Sequence, residues 1–190
     1  MMEMEFYVKN MVCERCIQVL EKALEEAGVA LVSIELGRLL VRVQDGKGMD
    51  DTIENILSRH GFSLVKDPDG LLVERVKQEL IRLLHALPLQ MGKKLSAYLS
   101  ERLHQEYSGI SKTFSRREQQ TIEKYFIKLK IEKAKELLQD PSHNFTEIAQ
   151  LLDYSSSNHL SSQFKNETGM SLSYYRQMKR NTRKGLDQIL

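Results

Sequence analysis

The last hundred residues repeat themselves at an offset of 50, and this constrains the fold more than any other feature of the chain. Phe114, Thr121, Ile122 and Tyr125 align with Phe164, Ser171, Leu172 and Tyr175, and residues 95–103 correspond to 145–152. Each copy reads as a short amphipathic helix, a tight turn (104–106 and 153–154) and a second helix carrying small polar residues and one apolar aromatic. That is helix-turn-helix grammar, in which the second helix enters the major groove of DNA. A scaffold repeat is the alternative, and two copies are few for a solenoid.

Residues 121–138 join the copies without a helix breaker. At about 1.5 Å per residue the segment spans roughly 27 Å, comparable to the roughly 34 Å between successive major-groove faces on one side of a duplex. Ile122, Tyr125, Phe126, Leu129, Ala134, Leu137 and Leu138 form its expected core stripe. Lys124, Lys128, Lys130, Lys133 and Lys135 are expected to make its outer face basic.

Charge separates the two ends of the chain. Residues 1–67 hold 8 Lys and Arg against 12 Asp and Glu, whereas residues 68–190 hold 20 against 14. A basic C-terminal part suits nucleic acid. No apolar run approaches membrane-span length and no positive-then-apolar segment opens the chain, so neither insertion nor export is expected. Two cysteines three apart make a poor structural staple, which makes the cytoplasm the expected compartment.

The N-terminal part changes period. Residues 5–10, 30–36, 39–43 and 62–65 read as strands, with the middle two joined at Gly37-Arg38. Residues 14–27 and 50–60 read as amphipathic helices ended by Gly28 and Gly61. The order β-α-β-β-α-β is the split βαβ, or ferredoxin-like, arrangement. Asp67-Pro68-Asp69-Gly70 has turn chemistry, and residues 72–87 carry a helical stripe stopped by Pro88. The expected fold class is therefore α+β: a ferredoxin-like domain over 1–67, a linker helix within 68–92, and an all-α double helix-turn-helix domain over 93–190.

Cys13 and Cys16 fall between the first strand and the first helix. Cys16 would sit in the first helical turn, where unpaired N–H groups and the helix dipole favour a thiolate. Two sulfurs at i and i+3 suit Cu(I) or a similar thiophilic ion, but do not complete a tetrahedral zinc site. The same spacing occurs in thioredoxins. This chain lacks the tryptophan that flanks that pair, and Pro68, Pro88 and Pro141 all lie outside the domain. No enzyme activity is expected.

Two resemblances sharpen these expectations. Residues 4–66 resemble a heavy-metal-associated domain, through Met11, Cys13, Cys16, Ala27-Gly28-Val29, residues 32–36 and Ile53 through Gly61-Phe62. The resemblance implies that Cys13 and Cys16 bind metal and that Met11 is a buried prop for their loop. Asn10 stands where that family usually has glycine, and Phe62 where it often has tyrosine or lysine. Residues 94–178 resemble the AraC-type DNA-binding domain, through Ile148-Ala149, Tyr154-Ser155-Ser156, His159-Leu160-Ser161, Phe164-Lys165, Thr168-Gly169-Met170-Ser171 and Tyr175-Arg176. In the first copy His104 replaces the usual turn glycine and the glycine after the reading helix is absent, while Asp153 replaces the turn glycine of the second.

The second resemblance implies that Ser108, Ser111 and Lys112 project from the first reading helix toward bases, and Ser157, Asn158, Ser161 and Ser162 from the second. Arg116, Arg117 and Lys165 are implied phosphate contacts, and the basic tail 179–184 is a further candidate for the backbone. His159, Leu160, Phe164, Ile110 and Phe114 are expected in the core. The resulting expectation is a sequence-specific transcription regulator, gated by metal or thiol state, acting on double-stranded DNA and the transcription machinery as a monomer or dimer away from membranes. The alternative is a metal carrier or docking module tethered to a DNA-binding domain.

Overall fold

β1 (Met2–Lys9) alternates, with Phe6 and Val8 buried and Glu3, Glu5 and Lys9 exposed. The computed structural model describes residues 2–89 and 91–178, so the expectation for the tail 179–184 lies outside the described residues. β1 starts three residues earlier than the sequence suggests. Met2, Glu3 and Met4 pair with Val43, Arg42 and Val41 of β3 (Arg38–Val43), so the alternation runs on through charged residues. Arg42 donates to Glu3 at 2.9 Å, and Arg38 meets Glu5 diagonally on the same face.

Around β1 follow α1 (Glu14–Glu26), β2 (Ala30–Glu35), α2 (Met49–Arg59) and β4 (Ser63–Leu64). The sheet order is β2-β3-β1-β4, antiparallel at every pairing, with an irregularity between Leu31 and Ser33 in β2. α1 contributes Leu20 and Leu24, and α2 Ile53 and Leu57, to a core completed by Phe6, Val8, Leu39, Val41 and Phe62. At the β2–β3 turn Gly37 has φ +74, and a Cβ there would overlap the Gln78 side chain. The positive φ is what favours glycine there, since the Gln78 side-chain end could swing aside.

α3 (Pro68–His85) differs from its sequence expectation. Asp67-Pro68-Asp69-Gly70 was expected as a turn, yet it opens the helix. Proline is tolerated in the first helical position, and the Asp67 carboxylate accepts from Gly70 N at 2.9 Å, as a cap does. The chain divides into two compact units between Gln78 and Glu79, inside α3.

The second unit contains α4 (Leu95–Leu103), α5 (Tyr107–Glu118), α6 (Ile122–Leu137), α7 (Phe145–Leu151), α8 (Ser157–Thr168) and α9 (Leu172–Gln177). In the C-terminal half of α3, buried Glu79 accepts from Tyr98 Oη at 2.9 Å and from Arg102 Nε at 2.9 Å, and also pairs with Arg82. This carboxylate fixes α3 to α4. Side-chain caps open the later helices: Thr121 for α6, Ser156 for α8, Ser171 for α9, and Asn144 with Glu147 as a capping box for α7.

α6 corrects the expectation of a wholly basic outer face. Lys135 is buried and donates to Glu132 at 2.6 Å, and Lys130 lies over the Tyr154 ring at 4.1 Å. The helix packs against α5 on one side and α8 on the other, so its covered face is wider than one stripe of apolar residues.

Candidate nucleic-acid interface

The sequence repeat is a structural repeat. α4, α5 and the start of α6 recur 50 positions later as α7, α8 and α9. Phe114 meets Tyr125 edge-on with centroids 5.6 Å apart, and Phe164 meets Tyr175 in the same way at 5.5 Å. Ile110 and Phe114 anchor α5, as Leu160 and Phe164 anchor α8, and all four are fully buried. Removing either phenylalanine ring would cost about 3–5 kcal/mol.

The turns need backbone that glycine normally supplies. His104 and Asp153 both take positive φ, 53° and 56°. After the reading helices Gln119 has φ +54 in the first copy, where Gly169 has φ +74 in the second. Gln119 Nε2 donates to Arg116 O at 2.8 Å and so caps the helix locally.

Burial of one face of each reading helix presents the other. On α8, Asn158, Ser162 and Lys165 are exposed, with Ser157 and Ser161 half-buried beside them. On α5, Ser108, Lys112 and Arg116 are exposed and Ser111 is half-buried. Arg117 is exposed as well. It continues the i, i+4, i+7 stripe of Ile110 and Phe114 past the end of the core. His159, expected in the core, is exposed: its Nδ1 pairs with Ser155 Oγ at 3.1 Å and its ring stands edge-on to Tyr154 at 5.2 Å. The polar ring can stay wet while one side covers Tyr154.

A cavity of about 470 Å³ opens beside α8, between Ser157, Asn158 and Ser161 on one side and Asn144, Thr146 and Ser173 on the other. In the first copy Tyr107 Oη instead donates to Glu123 across the corresponding place. Sequence reading missed Thr146, Ser173, Tyr107 and Glu123. The offset of 50 already set Tyr107 against Ser157 and Glu123 against Ser173, which was the signal available.

The thiols lie in the first unit. Cys13 caps α1, and its Sγ stands 3.4 Å from that of Cys16. The helix start was expected to favour a Cys16 thiolate, but burial pushes that thiol up and outweighs its backbone hydrogen bonds. Asn10 takes φ +71, the backbone usual for glycine, which asparagine tolerates better than most residues. Met11 is buried and its Sδ accepts from Gly37 N at 3.1 Å, fixing the thiol loop to the hairpin turn. Among the described residues no group of three or more His, Cys, Asp and Glu side chains gathers, so the two thiols stand as a pair.

Residues 99–178 match a family model described as a helix-turn-helix domain. The C-terminal domain of AraT, a response regulator from Geobacillus stearothermophilus, is similar in fold: 22% identical, with a TM-score of 0.50, over 62% of this chain and 93% of that one. The C-terminal domain of the two-component response regulator yesN from Fusobacterium nucleatum is 21% identical with a TM-score of 0.47, over 58% and 100%. A DNA-binding transcriptional dual regulator from Escherichia coli K-12 is 17% identical with a TM-score of 0.47, over 55% and 88%. No curated protein matches the chain. Among the described residues no helix is long and apolar enough to cross a membrane.

Proposed function

We propose that this chain, whose residues 99–178 match a helix-turn-helix family model, is an AraC-type, sequence-specific DNA-binding regulator of transcription. The observation that carries the reading is the pair of equivalent reading helices, each held by a buried aromatic pair and each presenting short polar and basic side chains outward. Asn158 offers a side chain able to bond adenine in two places, and Lys112 one that reaches guanine. Ser108, Ser111, Ser157, Ser161 and Ser162 suit phosphate or water-bridged readout, and Arg116 and Lys165 suit phosphate. Arg117, exposed at the C-terminal end of α5, is a further phosphate candidate.

The test is selection from a random duplex pool by the full-length protein. An enriched site is expected. On it Asn158→Ala costs about 1–3 kcal/mol chiefly at one base pair, whereas Lys165→Ala weakens all sequences alike. A pool that yields no enriched site overturns sequence-specific recognition.

The first unit is read as the input, with the ferredoxin-like arrangement as its fold. Its two sulfurs, 3.4 Å apart, fit the donor set of a two-coordinate thiophilic ion such as Cu(I), which would supply a bridge between loop and helix. Met11 and Gly37 make the loop part of the hairpin, so a bound ion or an oxidised pair has a covalent and hydrogen-bonded route into the sheet. Operator affinity is compared with and without Cu(I) for wild type and for Cys13→Ser/Cys16→Ser. A coupling of about 1–3 kcal/mol is the usual scale. Four equal affinities would leave the first unit as a metal carrier or docking module.

A further inference from the structure

The two copies differ at one place where their backbones agree. In the second copy, Thr146, Ser157, Ser161 and Ser173 surround the cavity beside α8, and among the described residues none of these hydroxyls has a hydrogen-bond partner. Asn144, Asn158, Ser171, Phe145 and Leu172 complete its wall, with no carboxylate on it; the Asn144 and Ser171 side chains are engaged as helix caps. In the first copy Ser157 is replaced by Tyr107 and Ser173 by Glu123, and the two side chains hydrogen-bond to each other. Ser111, the counterpart of Ser161, reaches the same tyrosine hydroxyl from α5.

Burial opposes the charge on Glu123, but hydrogen bonds from Tyr107, its own N–H and Thr121 hold the carboxyl below its usual range, so it is ionised at neutral pH. A carboxylate placed where a DNA phosphate would approach repels it, and a ring bonded across the gap fills the space. Uncommitted hydroxyls around an open concavity do the opposite. They can donate to a phosphate oxygen without giving up an existing bond.

We propose that the cavity of the second copy seats a backbone phosphate of duplex DNA, and that the Tyr107–Glu123 pair closes the same seat in the first copy. The second helix-turn-helix is then the anchor on DNA, and the first engages its groove more weakly and adds selectivity. This rests on the DNA-binding reading above and assigns different work to its two halves.

The probe is a mixed-sequence duplex with the full-length chain, because phosphate contacts do not depend on sequence. Kd is measured across a range of salt for wild type, Glu123→Ser, Glu123→Gln and Ser173→Glu, with exposed Gln139→Glu as the control for an added charge elsewhere. Both Glu123 variants are expected to bind about three- to tenfold tighter. Ser173→Glu is expected to bind at least tenfold weaker, and its slope of log affinity against log salt should fall by roughly 0.9, one phosphate contact. Gln139→Glu should move affinity by less than about twofold. All three positions are exposed, so circular dichroism should show every variant folded. The proposal is overturned if the Glu123 variants bind no tighter, or if Ser173→Glu loses no more than the control. If wild type binds no duplex even at low salt, the DNA reading falls and this proposal with it.

Discussion

Lys130 Nζ stands 4.1 Å from the centre of the Tyr154 ring, so a lysine in the last helix of the first copy lies on the turn of the second. Burial pushes its pKa down to about 8, against a smaller opposing pull from Asp153, and burial pushes that of Tyr154 up to about 12. The folded state therefore releases the Lys130 proton at lower pH than the unfolded chain does. The cost of holding the ammonium is fully present below pH 8 and is relieved between about 8 and 10.5. Lys130→Met should raise Tm relative to wild type at pH 7, and that advantage should shrink toward zero by pH 10. A difference in Tm that stays constant across this range rejects the assignment.

Gln119 holds φ +54 at the position where Gly169 stands in the second copy. A residue with a Cβ is strained there, and the hydrogen bond from its side chain to Arg116 O recovers only part of the loss. Gln119→Gly should stabilise the second unit by up to about 1 kcal/mol in urea unfolding. The mirror change, Gly169→Gln, should destabilise it by a similar amount. Equal midpoints for both variants and wild type would contradict the account.

Asn144 Oδ1 accepts from Thr146 N and Glu147 N, both at 2.9 Å, while Glu147 accepts from Asn144 N at 2.8 Å. Asn144→Ala should cost about 1–2 kcal/mol, and Asn144→Asp much less, because aspartate caps as well. Denaturation midpoints distinguish the two. Similar losses for both substitutions would mean that the amide acts other than as a cap.

Glu79 gathers Tyr98, Arg82 and Arg102 around one buried carboxylate. Burial alone would raise its pKa, but these donors hold it below the ordinary carboxylate range, and burial together with the carboxylate pushes Tyr98 up to about 12. With a depressed folded pKa, the stabilisation is complete at neutral pH and is lost as pH falls below the usual range toward the folded value. Glu79→Ala should cost about 2 kcal/mol at pH 7, and the gap to wild type should narrow at pH 3. A gap independent of pH would mean that the carboxylate's charge contributes nothing.

Elements with a strong period or a cap were legible in the sequence. The offset of 50 located both helix-turn-helix copies, and Phe114 and Phe164 took their expected buried places. Thr121 marked the start of α6 because its hydroxyl accepts from Lys124 N. Features decided by partners distant in sequence were not legible. Lys130 and Lys135 read as outward because a single-helix stripe cannot show that two neighbouring helices cover α6. His159 read as core because it sits beside Leu160, but its ring lies over Tyr154 from the solvent side. The first turn of α3 read as loop because Asp, Pro and Gly favour turns, and the cap by Asp67 reverses that preference. The Tyr107–Glu123 contact spans sixteen positions, beyond any local pattern.

α3 continues unbroken through the point where the two units divide, and Val76, Leu80, Ile81 and Leu84 are buried along it. Neither half is therefore a detachable cassette with its seam at residue 67. A fragment that stops there lacks Gln78 against the Gly37 turn, and one that starts at 93 lacks Glu79 under Tyr98 and Arg102. Moving either unit into another protein requires carrying the whole helix along.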